Sequence, residues 1–528
     1  MKQKKIVVVC DSIHEKGFEL LGKESDIKVI DATKVAKDKL GEIIADADVA
    51  ITRSPTDIDT LFLDAGKKLC AVVRAGVGVD NVDLDECSKR GVIAMNVPTA
   101  NTIAAVELTM AHLLGTARKF PYIHNDLKQD RLWRREKWYG IELYGKKLGI
   151  IGFGNIGSRV AVRAKAFGMD IVAYDPYIPS NKVTDLGMVY TENFDDILAC
   201  DFITIHTPKN KETVNIINKA EIAKMKDGVR LINCARGGLY NEEALVEGLK
   251  SGKIAFAGID VFSKEPALNN PILDLDNVTV TPHLGANTLE SQEKIAVQAA
   301  EAAILAARGV SYPNALNLPI KTEDLPNFIA PYIELVQKIS FMAAQIYKRP
   351  ILGVHIEGEG AVSEYAKSLL TFALVGALKE SLGDNINYVN ASYVAKDKNI
   401  QTSTKTLPVS GYSNKFTVKI STDKGVAEVG GTVFGEDEQR VVSINGFKTD
   451  FKPKGKMIIF QNRDVPGVIA SISTLLAKKD INIADFRLAR GNNDLALAVI
   501  LVDQDISKEL LKELNELPNC IWAQSVNI

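Results

Sequence analysis

Three polar side chains near the middle of the chain could together oxidise an alcohol that lies beside a carboxylate. His283 closely follows the apolar run Val278–Thr281, so we expect its imidazole at the end of a strand, where it can accept the hydroxyl proton and return it in the reverse reaction. Glu265 would bond the other ring nitrogen and fix the tautomer. Arg236, in Asn233–Gly238, offers a planar guanidinium that suits a carboxylate. Each residue alone could be structural, but together they predict acid/base chemistry.

A glycine-rich segment upstream predicts where a dinucleotide binds. In this segment Gly152 permits a tight turn, Gly154 lets the backbone approach a pyrophosphate, and Gly157 lets a helix pack on a strand. An apolar run precedes the glycines and apolar residues at helical spacing follow them, so strand, turn and helix come in the required order. Asp175 follows a second apolar run, and its carboxylate can accept hydrogen bonds from an adenosine ribose but would repel a 2′-phosphate. The cofactor predicted by this pattern is NAD rather than NADP.

Alternating strands and helices must position these residues. From Ile6 to about Asn96, short apolar runs alternate with charged, helix-patterned stretches, which predicts a parallel α/β sheet. After the helix-forming run Thr102–Ala117, the glycine-rich unit and further strand-like runs predict a second parallel sheet. The helical stretch Thr288–Arg308 is expected to return the chain to the first sheet. We therefore predict two Rossmann-like domains, a discontinuous substrate-binding domain (residues 1–97 and 287–315) and a NAD-binding domain (residues 98–286).

The last two fifths of the chain read as two further domains. Pro313–Pro319 contains two prolines and two asparagines, which indicates a boundary. Residues 316–453 combine helix-like and strand-like runs and predict an α+β intervening domain without a cluster that we can assign to chemistry. Residues 454–528 follow a strand–helix–strand–strand–helix–strand order, which predicts a ferredoxin-like domain. The polar loop Asn462–Gly467 at one end of this domain favours ligand binding over a purely structural role.

Composition restricts the partners. The chain has 528 residues, and 64 Lys and Arg against 66 Asp and Glu leave a net charge of −2, so we expect neither nucleic acid nor a membrane as a partner. The six cysteines lie far apart without a Cys-x-x-Cys pair, which argues against a zinc site or a disulfide framework and favours the cytoplasm. Small molecules and further copies of the chain are the expected partners, and no metal is expected.

Arg236, Glu265 and His283, with the glycine segment, make the chain resemble the D-isomer-specific 2-hydroxyacid dehydrogenase family over roughly Ile6–Arg308. The segment Val73–Asp83 and the C-terminal module are similar to family members that add an intervening domain and an ACT regulatory domain. The resemblance implies NAD-dependent oxidation of 3-phospho-D-glycerate to 3-phosphohydroxypyruvate, the first step of L-serine synthesis, in a dimer or tetramer. Two alternatives stay open: a related dehydrogenase or reductase acting on 2-oxoglutarate or another small 2-oxo acid, and an amino-acid sensor with a retained NAD fold. The intact acid/base set argues against the sensor.

The resemblance also implies the roles of individual residues. Arg53 and Arg74 would suit a doubly charged phosphate, and Arg134, Arg135 or Lys137 would either reach a partner's site or form a solvated basic loop. The implied NAD-site residues are Gly152, Gly154, Asn155, Ile156, Gly157, Asp175, Thr207, Ala235, Asp260, Gly285 and Ala286; the implied substrate residues are Arg53, Ser54, Arg74, Gly76 and Asn101; and the implied L-serine residues are Asn462, Asp464 and Asn482.

Overall fold

The computed structural model describes residues 4–319, 325–383, 386–491 and 494–528. These residues form four β-sheets, which follow one another along the chain. The first two sheets are parallel, the third is mixed and the fourth is antiparallel, so the predicted fold class is confirmed.

The first sheet is built from short apolar strands with helices on both faces. Its elements are β1 (Lys5–Val9), α1 (Glu15–Gly22), β2 (Ile27–Asp31), α2 (Lys37–Ile44), β3 (Val49–Thr52), α3 (Thr60–Ala65), β4 (Ala71–Arg74), α4 (Leu84–Lys89) and β5 (Ile93–Asn96). The strand order is β2-β1-β3-β4-β5. Strands β3 and β5 are buried along their whole length, because helices cover both faces of a parallel sheet.

The second sheet has seven parallel strands. Its elements are α5 (Thr102–Arg118), α6 (Phe120–Lys128), β6 (Lys147–Ile151), α7 (Gly157–Ala166), β7 (Asp170–Tyr174), α8 (Asn181–Thr184), β8 (Val189–Tyr190), α9 (Phe194–Leu198), β9 (Phe202–Ile205), α10 (Lys219–Lys224), β10 (Val229–Asn233), α11 (Glu242–Lys250), β11 (Ile254–Ile259) and β12 (Val278–Val280). The strand order is β12-β11-β10-β9-β6-β7-β8. The order reverses between β6 and β9, and ligands of such sheets bind at that point, beyond the carboxyl ends of the strands.

The chain then returns to the first sheet. Helix α12 (Leu289–Ala307) buries Ile295, Ala299 and Ala303 in the core of that sheet. The proline-rich segment that follows is held along β5, where Leu316 N donates to Ala94 O at 2.8 Å and Ala94 N donates to Asn317 Oδ1 at 2.9 Å. The predicted boundary segment is therefore paired with the sheet over part of its length.

The third sheet carries two long helices on one face. Its elements are α13 (Ala330–Tyr347), β13 (Gly353–Glu359), α14 (Ala366–Leu382), α15 (Ala391–Asp397), β14 (Gln401–Leu407), β15 (Lys415–Thr422), β16 (Gly425–Phe434), β17 (Glu438–Ile444) and β18 (Phe447–Phe451). The short 3-10 turns Asn327–Ile329 and Ala361–Tyr365 precede α13 and α14, and two others, Glu136–Trp138 and Pro271–Asp274, lie in the second sheet's part of the described chain. The strand order is β14-β13-β15-β16-β17-β18. One helical stretch in the described ranges, Ala361–Leu382, is long and apolar enough to span a membrane, but more than half of its most apolar part is buried inside the protein. Its apolar residues, such as Leu369 and Leu374, pack in the core of the third sheet.

The two central strands of the fourth sheet are buried on both faces. Its elements are β19 (Lys456–Arg463), α16 (Val468–Lys478), β20 (Ile483–Arg490), β21 (Leu495–Val502), α17 (Lys508–Asn515) and β22 (Cys520–Asn527), in the order β20-β21-β19-β22. Ile458 and Phe460 point to the core beneath α16 and α17, whereas Met457 and Ile459 join the core of the third sheet. The predicted boundary at residue 454 thus separates two sheets but not two cores.

This second half of the molecule also contacts the first sheet. Asn387 Nδ2 donates to Gly91 O at 3.0 Å, and Tyr393 OH donates to Asp85 Oδ1 at 3.2 Å. Val389 is buried in the core of the first sheet. Helix α4, which Tyr393 contacts, therefore connects the intervening segment to the loops that follow β4.

Candidate active site

The carboxyl ends of the first and second sheets face one another across a cleft. Arg236 follows β10 of the second sheet, and its Nε lies 3.2 Å from Asp80 Oδ2, in the loop after β4 of the first sheet. The same side chain crosses Gly78 so closely that a Cβ at this position would overlap Arg236 Nη2. The predicted catalytic residues of one sheet and the predicted substrate residues of the other therefore share one cleft.

His283 and Glu265 form a hydrogen-bonded pair in this cleft. His283 Nδ1 lies 2.7 Å from Glu265 Oε2, and Glu265 Oε1 accepts a hydrogen bond from Phe262 N at 3.0 Å. Burial raises the pKa of Glu265, but the hydrogen bonds from His283 and Phe262 and the charge of Arg236 outweigh it, so the net pKa is lowered. An ionised Glu265 can only accept, so Nδ1 carries the proton and Nε2 is the ring atom available for acid/base exchange.

Asp260 holds the turn on which His283 stands. Its Oδ1 accepts hydrogen bonds from Thr281 Oγ1 at 2.6 Å and from Leu284 N at 2.7 Å, and its Oδ2 accepts one from Gly285 N at 3.0 Å. The side chain has no exposed surface. The structure therefore shows Asp260 supporting the turn behind the cleft, and its place in the NAD site stays a prediction.

Four of the five predicted substrate residues lie at the carboxyl ends of β3 and β4 or directly after them. Arg53 N donates to Asp11 Oδ2 at 2.6 Å, and Arg74 Nη2 donates to Ser54 Oγ at 2.7 Å. Gly76 has a φ of 155°, and a Cβ there would overlap the Arg74 guanidinium. Glycine at position 76 is therefore what allows Arg74 to fold back over its own loop.

The arginines give this side of the cleft a strong positive charge. Burial lowers the pKa of Arg74 to about 10, and the neighbouring charges of Arg236 and Arg53 act in the same direction. Arg74 Nε and Asn101 Oδ1 are both buried and have no hydrogen-bond partner in the described ranges. Because buried polar atoms are nearly always paired, Arg74 Nε indicates a ligand with an acceptor atom, such as an anion, and Asn101 Oδ1 indicates a ligand with a donor, such as a hydroxyl.

The glycine turn fits a dinucleotide. Gly152 has a φ of 88°, and a Cβ at Gly157 would overlap Gly152 O, so both glycines are required by the protein itself. A Cβ at Gly154 would meet nothing within 4 Å, which leaves open space where a pyrophosphate would approach. Asp175, which we predict to bind the adenosine ribose, also holds the turn, because its Oδ2 accepts a hydrogen bond from Phe153 N at 2.8 Å.

The remaining predicted NAD residues lie around the same turn. Asn155 is exposed and Ile156 half-buried at the start of α7. Thr207 follows β9, and its buried Oγ1 has no partner within the part of the chain that the structure describes. Ala235 follows β10, where its backbone N donates to Asn233 Oδ1 at 3.0 Å. These residues, with Gly285 and Ala286 on the His283 turn, fit NAD.

The predicted effector residues fall into two groups. Asn462 and Asp464 line a cavity of about 250 Å³ together with Arg490, whose Nε lies 3.1 Å from Asp464 Oδ2. Asn462 is 3% exposed, and its Oδ1 lacks a partner among the residues with described positions. Asn482 precedes β20, whereas Arg490 ends that strand, so Asn482 lies at the far end of the sheet and donates to Asp503 Oδ2 at 2.6 Å. Within one chain the three residues therefore do not form one site.

Several residues at these sites escaped the sequence analysis. Asp11 follows β1 at the same edge of the sheet as Arg53, and the position of polar residues after strands could have revealed it. Asp80 lies in the segment on which the family resemblance rests, but nothing in the sequence indicated its contact with Arg236.

Arg134, which we expected either in a partner's site or in a solvated loop, donates a hydrogen bond to Asp126 Oδ1 at 2.7 Å.

Comparisons with known proteins agree with this architecture. A family model for the NAD-binding domain of D-isomer specific 2-hydroxyacid dehydrogenases matches residues 110–285, a model for the D-3-phosphoglycerate dehydrogenase intervening domain matches residues 328–445, and a model for the ACT domain matches residues 456–519. The three matches follow the second, third and fourth sheets.

Individual relatives cover nearly the whole chain. D-3-phosphoglycerate dehydrogenase of Bacillus subtilis is 38% identical over 99% of this chain and 99% of its own length. The protein of the same name from Methanocaldococcus jannaschii is 35% identical, again over 99% of both. Among solved structures, D-lactate dehydrogenase of Aquifex aeolicus with NAD and lactic acid is 30% identical with a TM-score of 0.52, over 58% of this chain and 96% of that one. The chain therefore belongs to the D-3-phosphoglycerate dehydrogenase family.

Proposed function

We propose that this protein uses NAD to oxidise 3-phospho-D-glycerate to 3-phosphohydroxypyruvate, the first step of L-serine synthesis. The observation that carries the proposal is the juxtaposition of the His283–Glu265 pair with the half-buried arginines of the facing sheet. A substrate with a hydroxyl between a carboxylate and a phosphate needs an acid/base group flanked by cations. The full-length relatives named D-3-phosphoglycerate dehydrogenase support the same substrate.

Each side chain has one task in the reaction. Arg236 binds the carboxylate and polarises the oxygen that becomes the carbonyl, while Arg74 and Arg53 bind the phosphate. The neutral His283 Nε2 accepts the hydroxyl proton, and Glu265 stabilises the resulting imidazolium. The glycine turn and Asp175 would hold NAD, which would supply the acceptor for the hydride from the same carbon. In the reverse direction the imidazolium returns its proton to the ketone oxygen.

The substrate assignment is tested by following NADH oxidation with 3-phosphohydroxypyruvate and with 2-oxoglutarate, each with and without L-serine. Selective turnover of the phosphorylated substrate supports the proposal. Turnover of 2-oxoglutarate alone would replace it by a related 2-oxo acid reductase acting through the same catalytic residues. NADH binding without any turnover would instead favour the amino-acid sensor.

Replacement of Glu265 by glutamine is expected to lower kcat and to change the pH dependence of reduction. Glutamine keeps an oxygen acceptor near His283 Nδ1 but removes the negative charge that favours the imidazolium. As the pH is raised, kcat for reduction should therefore begin to fall at a lower pH than in the wild type. The measurement is kcat against pH with 3-phosphohydroxypyruvate. Glu242→Gln is the matched control, because Glu242 accepts from Ser263 N at 2.5 Å near the cleft without touching His283. An unchanged profile for Glu265→Gln would contradict the pairing.

For regulation, we propose that L-serine binds in the cavity lined by Asn462 and Asp464 and that Asn482 of a second copy completes the site. The unpaired Oδ1 of Asn462 and the position of Asn482 at the far end of β20 support this arrangement. It requires a homo-oligomer, a dimer or tetramer, which mass measurement in solution will test. We also propose the domain bounds: residues 1–97 and 287–315 form the substrate domain, 98–286 the NAD domain, 316–453 the intervening domain and 454–528 the ACT domain. A cytoplasmic location, which suits six free cysteines, is proposed as well.

Substitution Asn462→Ala should weaken inhibition by L-serine by about 10- to 100-fold, the cost of one hydrogen bond to a charged group. The measurement is the L-serine concentration that halves turnover, taken relative to the rate of the same variant without serine. Lys512→Ala, on the exposed part of α17, is the control. Equal inhibition of Asn462→Ala and the control would place the effector elsewhere.

A further inference from the structure

A chain of side-chain hydrogen bonds runs from the His283 turn into the second sheet and reaches a buried histidine that the reaction does not use directly. Thr281 Oγ1 lies 2.6 Å from Asp260 Oδ1 and 2.9 Å from His112 Nε2. His112 Nδ1 lies 3.0 Å from Thr279 Oγ1. His112 is 4% exposed and its contact with Thr279 is buried, whereas Thr281 is half-buried.

The chemistry of the groups fixes the direction of these bonds. The Asp260 carboxylate can only accept, so the Thr281 hydroxyl donates its hydrogen bond to Asp260. Thr281 Oγ1 must therefore accept from His112 Nε2–H. His112 Nδ1 then accepts from the Thr279 hydroxyl. Burial lowers the pKa of His112 despite the opposing charge of Asp260, so the ring is neutral and holds this single tautomer.

The chain of bonds ends on the backbone that carries His283. His283 has a φ of 55°, a left-handed conformation that few non-glycine residues adopt. Its backbone N donates to Asp260 O at 2.8 Å, and the Asp260 carboxylate accepts from Leu284 N and Gly285 N. The turn therefore keeps its unusual shape through Asp260, and Thr281 and His112 keep Asp260 in place.

The position of His112 also links the turn to the facing substrate residues. His112 lies in α5, the helix that begins directly after Asn101. Gly258 lets this helix pack against β11, since a Cβ at Gly258 would lie 2.8 Å from His112 Cβ. One end of α5 is thus beside the substrate side of the cleft, and its middle is bonded to the acid/base side.

We propose that His112 is a positioning residue for the reaction, acting through Thr281 and Asp260 to hold the His283 turn in the geometry that proton transfer requires. The inference rests on the proposed function, in which His283 is the acid/base group. In this role His112 acts by donating a hydrogen bond from Nε2 to Thr281, and it does not gain or lose a proton during the reaction.

The test compares Thr281→Val, His112→Leu, His112→Gln and the control Thr279→Val. Valine at 281 keeps the shape of threonine but removes the hydroxyl that joins His112 to Asp260, whereas valine at 279 removes only the bond on the far side of the ring. We measure kcat and KM for 3-phosphohydroxypyruvate at saturating NADH, the Kd for NADH, and the melting temperature. Thr281→Val and His112→Leu should lower kcat by about 10- to 100-fold, the loss that a small misplacement of a catalytic group produces, while KM and the Kd for NADH stay near the wild-type values.

Rescue and non-additivity separate positioning from general stability. His112→Gln keeps an amide donor near Thr281, so its kcat should exceed that of His112→Leu at a comparable melting temperature. The double variant Thr281→Val/His112→Leu should be no slower than Thr281→Val alone, because both changes break one chain of bonds. A kcat of Thr281→Val equal to that of Thr279→Val would overturn the inference even if His112→Leu did not fold. Inactive wild-type protein would instead refute the proposed function.

Discussion

Substitution His283→Ala is expected to lower kcat by about two to four orders of magnitude, the usual contribution of a general acid/base group. The side chain holds the one ring nitrogen in the cleft that can take up the hydroxyl proton, and its other nitrogen is bound by Glu265 at 2.7 Å. The Kd for NADH should change little, since the glycine turn and Asp175 lie on a different part of the cleft.

The measurement is the single-turnover and steady-state rate with 3-phosphohydroxypyruvate, together with NADH binding by fluorescence. His124→Ala, an exposed histidine on α6, is the control for loss of an imidazole elsewhere in the same half of the molecule. Turnover of His283→Ala close to that of the control would remove His283 from its role, and with it the purpose of the Glu265 contact.

Substitution Arg74→Ala should reduce kcat/KM for the phosphorylated substrate by about 10- to 100-fold, the range for one charge-assisted hydrogen bond, and Arg53→Ala should act in the same direction. Arg74 is expected to have the larger effect, because burial lowers its pKa to about 10 and its Nε is left without a partner in the described residues. An unphosphorylated 2-hydroxy acid should lose much less in either variant, since Arg236 binds the carboxylate that both substrates share.

Comparing kcat/KM for the phosphorylated and unphosphorylated substrates shows whether Arg74 binds the phosphate. Arg74→Lys should recover only part of the loss, because a single ammonium cannot reproduce the planar fork of a guanidinium. Lys67→Ala, which removes an exposed cation between α3 and β4, is the control. Equal losses for phosphorylated and unphosphorylated substrates in Arg74→Ala would favour a related 2-oxo acid reductase over the proposed enzyme.

Local sequence patterns were sufficient for the elements that carry the chemistry. The strands of the first sheet and the turn at Gly152 follow from apolar runs and from glycine at fixed spacing, which depend on neighbouring residues only. The same reasoning missed β14 (Gln401–Leu407), because six of its seven residues are exposed and it lacks the alternation by which a half-buried strand is recognised. It also missed β16, where three glycines interrupt the apolar pattern.

Tertiary structure decided what those elements face. The sequence by itself determined four sheets in order, the NAD turn, and the residues able to move a proton and bind anions, since each depends on residue type and short spacing. Only the folded chain brought Arg236 to Asp80 and buried Asp260 behind His283. It also joined the third and fourth sheets in one core and separated Asn482 from Asn462. These contacts join residues far apart along the chain, and the packing of whole sheets, which no local pattern encodes, determines them.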